Sequence, residues 1–349
     1  MRISDLELFL VSVPRDGSLT GTTSLLVRLQ TASGAEGWGE ADVRWRPSEL
    51  VPRRDALLPV LAGRSIFDIE ELVRLDALRP APLRAALEMA SWDCVGRLAG
   101  QPLCHLWGGR YRSRAPLAAA LAAGEPEAVA RRARELAAEG YYTQIIRAVG
   151  DVETDRAKVA AVRDAVGESV ALWLDAAQHF DRQSARELCG DLEAERIQAI
   201  VDPLATRDWQ EWGNLARETS TPLAVGKGVT STSDVLAIAR HQAAKIVVLC
   251  TDRVGGLGAV RQCAIVAETC DLDPIIGGRT PLGLGMAATI HLAAATPALG
   301  NASETAHFEL GGDILTRRLE VVDGLIKLPE GPGLGVEIDR ARLDRYQVT

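Results

Sequence analysis

The run LAVGKGVT, residues 223–230, closes a short apolar strand with Gly226-Lys227-Gly228, setting an ammonium where a parallel-strand enzyme presents its working groups. Lysine is scarce here: Lys158, Lys227, Lys245 and Lys327 stand among 39 basic residues, so arginine replaces lysine widely and each remaining lysine is informative. Other short apolar runs also end on reactive types. Arg147 closes TQIIR, Asp175 closes LWLD, Asp202 follows AIV and Cys250 follows IVVL. Carboxylates so placed bind cations or move protons, and an arginine holds a carboxylate through paired hydrogen bonds. A thiol beside a cation can become a nucleophile or base, although an inert buried thiol is the plainer reading of Cys250. An internal ion pair is likewise the plainer reading of Lys227. His179, just past Asp175, could shuttle a proton or sit solvated in a loop.

Two familiar phosphate motifs fail. GKGVTSTS lacks the preceding glycine of a phosphate loop, and RVGGLG has no acidic residue after a second strand, so it suits a simple strand-to-helix turn. The six cysteines form no CxxC pair and no metal-ligand spacing with the five histidines, as expected of reduced thiols in a cytoplasmic protein.

The elements that must carry these groups follow from periodicity. Residues 1–45 alternate apolar and polar, TSLLVRLQTASGAEGWGEA reads as a hairpin turned at Ala32-Ser33-Gly34, and residues 50–100 read as helices ending at Gly100. From residue 116 short strands alternate with amphipathic helices. Strand ends fall near Ala122, Arg147, Asp175, Asp202, Gly226, Cys250 and Gly277, with a less distinct eighth in 302–308. Seven or eight such units make a (β/α) TIM-type barrel with its site at the carboxyl ends of the strands. The tail 319–346 returns to strand and turn character. The expected organisation is an α+β capping domain, 1–115 completed by 318–349, around a barrel of 116–317. A chain of 349 residues with net charge −8 and no basic cluster argues against nucleic acid and membrane surfaces and for a small-molecule substrate. The amino terminus reads as a first strand rather than a secretion signal.

Two segments give the chain a family resemblance. ALEMASWDCVGRLAGQPLCHLWGG (86–109) resembles the helix leading from cap to barrel in the enolase superfamily, in its muconate-lactonizing and mandelate-racemase-like branch, and LPEGPGLGVEID (328–339) resembles its closing segment. The resemblance implies a base that removes a proton next to a carboxylate while Mg²⁺ stabilises the enediolate. It also implies that homo-oligomers are common. Carried onto this chain, the family's Lys-x-Lys falls on Ile145 and Arg147, or on Ile146 and Ala148 if the register slips by one, and neither gives a lysine. The Asp-x-Asn falls on Asp175 and Ala177, and the fourth strand's ligand glutamate on Val201 beside Asp202. The fifth strand's acid falls on Lys227, the second catalytic lysine on Cys250, and a common acid of the seventh strand on Arg279. Glu304 matches the muconate-lactonizing acid of the eighth unit, and Trp45, in VRWRPSEL, falls where capping loops cover the substrate.

These replacements leave one confident Mg²⁺ ligand. An ammonium about 4 Å from a divalent cation costs roughly 8 kcal/mol at an effective dielectric near 20, so no metal cofactor is expected. Lys227 would instead pair with Asp175 or Asp202 and replace the metal's charge. The leading function is a metal-independent isomerase, cyclase or lyase acting on a small carboxylate- or carbonyl-bearing molecule. Arg147 or Arg279 would anchor the anion, and Cys250, His179 or Glu304 would move the proton. Alternatives are a non-catalytic paralogue that binds a small ligand or an assembly partner, which Ile145 and Val201 favour, and an ordinary Mg²⁺-dependent member.

Overall fold

The computed structural model describes residues 1–15, 21–278, 281–305 and 309–348. The alternating first segment forms an antiparallel sheet of β1 (Ile3–Val13), β2 (Thr22–Thr31) and β3 (Glu36–Ala41), in that order. Its buried face packs with α1 (Leu50–Leu61), α2 (Ile69–Leu72) and α3 (Ala81–Ala99) around Leu6, Leu25, Val27, Leu57 and Leu87. Helix α3 stops where read: Gly100 takes φ 64°, a left-handed cap that glycine adopts without steric cost, and its N–H returns to the Arg97 carbonyl. A short α4 (Leu103–Leu106) leads into the second module.

There, β4 (Arg114–Leu121), β5 (Thr143–Arg147), β6 (Ala171–Asp175) and β7 (Ala199–Val201) are followed by β8 (Leu223–Val225), β9 (Ile246–Leu249) and β10 (Asp273–Ile276). Neighbours pair in parallel, and β11 (Ser303–Thr305) pairs in parallel with β4, completing eight parallel strands among the described residues. Between them run α5 (Pro126–Ala138), α6 (Val152–Val166), α7 (Arg182–Asp191), α8 (Trp209–Glu218) and α9 (Thr232–His241). After β9 come α10 (Thr251–Val254) and α11 (Leu257–Thr269), and after β10 comes α12 (Gly283–Ala295). Alternation sends Ile146, Leu172, Leu174 and Ile200 out to the helices and Ile145, Trp173, Val201 and Val248 into the barrel.

The tail divides its contacts. Strands β12 (Val321–Val322) and β13 (Leu325–Lys327) form a hairpin that pairs antiparallel with β4. Beyond it, Leu334 donates its N–H to the fully buried Asp93 of α3, which also accepts from Trp38 of β3. Helix α13 (Arg340–Tyr346) then returns the chain to β1, where the Val348 N–H meets the Leu10 carbonyl. Glu40 of β3 fastens the cap to the barrel by accepting the N–H groups of Leu282 and Gly285 at the start of α12.

Candidate active site

A cavity of about 180 Å³ opens at the carboxyl ends of the barrel strands. Its floor is apolar, made by Ala118, Ile145, Trp173, Val201, Val248 and Ile275. Its rim is charged: Arg147, Asp175, Asp202, Lys227, Arg253 and Glu304. Strand period places the first two. Thr143, Ile145 and Arg147 alternate into the barrel on β5, as Trp173 and Asp175 do on β6.

Arg147 is the hub. One guanidinium nitrogen lies 3.0 Å from Asp175 Oδ2 and another 3.0 Å from Glu304 Oε1. The remaining oxygens are also occupied, since the Ala177 N–H donates to Asp175 Oδ1 at 3.0 Å and the Gly278 N–H to Glu304 Oε2 at 2.6 Å. Burial raises the Glu304 carboxyl above its ordinary pKa while the Arg147 charge pulls the other way.

The expected pairing of Lys227 is overturned. Its ammonium donates to the backbone carbonyl of Ala177 at 2.7 Å, and its contact with Asp202 is made by the backbone N–H, 2.8 Å from Oδ2. Two left-handed residues, Ala177 (φ 53°) and Gln178 (φ 68°), turn the chain after β6, where the Ala177 carbonyl receives the ammonium. The cation beside the carboxylates is therefore Arg147. Lys227 lines the same cavity and, among the described residues, carries no carboxylate partner within ion-pair distance.

Asp202 also departs from simple alternation, which would point it away from Val201's side. It takes φ 48°, and this left-handed turn returns its carboxylate to the cavity. There Oδ1 accepts from Gly226 at 2.9 Å, and burial raises its pKa. Arg253, which reading strand ends alone missed, donates Nη1 to the Gly226 carbonyl at 2.8 Å and lines the cavity. Its signal was available: a charged residue four positions past the end of β9, on the short helix α10 that follows the strand.

Several expected residues lie elsewhere. Cys250 is buried, with Sγ 3.9 Å from the Gly278 carbonyl, and does not line the cavity. His179 is exposed and packs against Gly150, because β6 ends at Asp175 and the turn has carried the chain past the rim. Trp45 packs on the capping core with Arg53 stacked 4.1 Å over its ring, so it faces its own module. Arg279 lies outside the described residues.

These donors do not fit Mg²⁺. Near-octahedral coordination needs several free oxygens at about 2.1 Å. Asp175 and Asp202 have both oxygens engaged by N–H donors, a guanidinium adjoins Asp175, and a lysine holds the third position. Among the described residues no group of three or more His, Cys, Asp or Glu side chains could hold a metal ion. What the arrangement can do is hold an anion at Lys227 and Arg253 and handle protons at buried carboxyls.

Comparison with known proteins agrees with the architecture. The chain is 28% identical to muconate cycloisomerase 1 of Rhodococcus opacus, covering 92% of this chain and 90% of that one. It is 26% identical to the N-succinyl-L-Arg/Lys racemase of Bacillus cereus, covering 100% and 98%. A solved mandelate racemase/muconate lactonizing family protein from Azoarcus sp. EbN1 superposes with a TM-score of 0.92 at 27% identity, covering 100% and 98%. Such relatives support an isomerase. Residues 11–108 match the mandelate racemase / muconate lactonizing enzyme N-terminal domain and residues 128–342 the enolase C-terminal domain-like family, so the chain belongs to the enolase superfamily, in its mandelate racemase and muconate-lactonizing branch.

Proposed function

We propose that this protein is a metal-independent isomerase, cyclase or lyase that moves a proton on a small carboxylate- or carbonyl-bearing molecule. One observation carries the reading: the Arg147 guanidinium bridges Asp175 and Glu304, supplying fixed positive charge beside the carboxylates that would otherwise face a cation. Lys227 and Arg253, bonded to backbone carbonyls, keep N–H donors for the substrate's oxyanion. Glu304, raised by burial, serves as the proton-transfer group. Asp175 and Asp202 hold Arg147 and the strand-β8 turn in place. The role proposed for lysine is thereby shared, with Arg147 neutralising the carboxylates and Lys227 meeting the substrate. A soluble cytoplasmic homo-oligomer belongs to the same proposal; no helix among the described residues is long and apolar enough to cross a membrane.

The second reading, a ligand-binding protein without turnover, is favoured by Ile145 and Val201 on the cavity floor and by the engagement of both carboxylates with Arg147. One experiment separates the readings. N-succinylarginine and cis,cis-muconate, chosen from the names of the relatives, are incubated with the protein in D₂O with chelator or with added Mg²⁺. NMR follows deuterium entry or ring closure. Turnover indifferent to chelator supports the proposal, binding without turnover favours the second reading, and turnover that requires Mg²⁺ removes metal independence.

A further inference from the structure

The capping domain reaches the cavity through one turn of the barrel. Arg253 sits on α10, and the residues on both sides of it are held from the cap. The Asp42 N–H, just past β3, donates to Asp252 Oδ2 at 2.9 Å. Arg84 of α3 donates to the carbonyls of Gly255 at 3.0 Å and Val254 at 3.2 Å. One helical turn along, Glu88 accepts the Gly258 N–H at 3.0 Å with Oε1.

The glycines of RVGGLG form the seat for these two side chains. A Cβ on Gly255 would lie 2.0 Å from Arg84 Nη2, one on Gly256 1.9 Å from Glu88 Oε2, and one on Gly258 2.8 Å from Glu88 Oε1. The first two also need positive φ, 94° and 144°. Gly258 needs none, so a side chain there would displace Glu88 Oε1 and no backbone atom. From this turn Arg253 reaches the Gly226 carbonyl, next to Lys227.

We propose that Arg84 and Glu88 are positioning residues, a latch from the capping helix that sets Arg253, and through it the Gly226-Lys227 turn, in the cavity. The latch deepens the reading of the cavity given above, but its test needs no substrate and can fail while the chelator result stands.

The test is amide hydrogen exchange, read by mass spectrometry, across variants of the full chain. Glu88→Ala and Arg84→Met are each expected to accelerate exchange in 254–260 and in 226–230 by about tenfold, leaving α6 unchanged. Glu88→Gln, which keeps an acceptor for Gly258, restores the wild-type pattern. In an Arg253→Met background, adding Glu88→Ala accelerates 254–260 only, because the side chain that carries the effect to Gly226 is gone. Uniform acceleration across the barrel, or no change at 226–230, overturns the proposal. Should Glu88→Ala fail to fold, Gly258→Ala presses on the latch from the barrel side and is expected to reproduce the exchange pattern.

Discussion

Arg147 and Asp175 end adjacent parallel strands in register, and their side chains meet at 3.0 Å across the mouth of the barrel. Neighbouring parallel strands bring residues of the same register side by side, so this contact follows from the β5–β6 pairing. Glu304 completes the bridge from β11, which lies on the far side of β4.

Arg147→Met leaves the mostly buried Glu304 without its cation. Loss of one partner of a buried pair costs about 1–3 kcal/mol, toward the lower end here because Arg147 is half-exposed. Glu304 is already raised by burial, and loss of the arginine raises it further. A group raised in the folded state contributes stability at low pH that is lost as pH rises through its folded pKa. Urea denaturation is therefore expected to show a larger penalty at pH 8 than at pH 5, and Arg147→Met with Glu304→Gln should remove that pH dependence.

Glu88 has a pKa raised from 4.5 to about 7, chiefly by burial. The same sign applies: its contribution is whole below about 4.5 and declines as pH climbs toward 7 and beyond. The shift corresponds to a ceiling of roughly 3 kcal/mol. Glu88→Gln should flatten the stability profile between pH 5 and 8 and stand above wild type at pH 8. A parallel decline in wild type and variant would assign the pH dependence to other groups.

Lys158, one of the four lysines, lies on α6 with its ammonium 3.1 Å from Asp155 Oδ1 and 3.1 Å from the Arg147 carbonyl. Both side chains are almost wholly buried. Asp155 also accepts the N–H groups of Val149 and Gly150, so the pair holds the turn after Arg147. Lys158→Met is expected to cost about 3–5 kcal/mol by stranding a buried carboxylate. Adding Asp155→Asn should recover much of that loss, as measured by chemical denaturation.

Cys270 is the one cysteine with appreciable exposure; Cys94, Cys104, Cys189, Cys250 and Cys263 are buried. Burial also pushes the thiols of Cys189 and Cys263 up to about 12. Iodoacetamide on the native protein should modify Cys270 first, located by peptide mapping. Rapid labelling of Cys250 that a small carboxylate blocks would return that thiol to the site.

Strand ends were legible because the short, continuous apolar runs of a parallel barrel are each followed by a charged or small residue. Arg147 and Asp175 end their strands as read, and Asp202, Gly226, Cys250 and Gly277 each stand one residue beyond theirs. Trp45 was misplaced because the resemblance puts VRWRPSEL where capping loops cover the substrate, whereas the ring packs on the capping core and stacks with Arg53 of α1.

The sequence alone determined the order of strands and helices, because periodicity and strand length are local properties of the chain, and two segments, 86–109 and 328–339, carried the family resemblance; of the charged residues at the barrel mouth it placed Arg147, Asp175, Lys227 and Glu304. Tertiary structure decided the partners. A left-handed turn at Asp202 reversed the direction that alternation gives, and the Ala177 carbonyl claimed the lysine. Arg147, Asp175 and Glu304 come from three different strands, and their pairing depends on distances across the barrel that no spacing along the chain encodes.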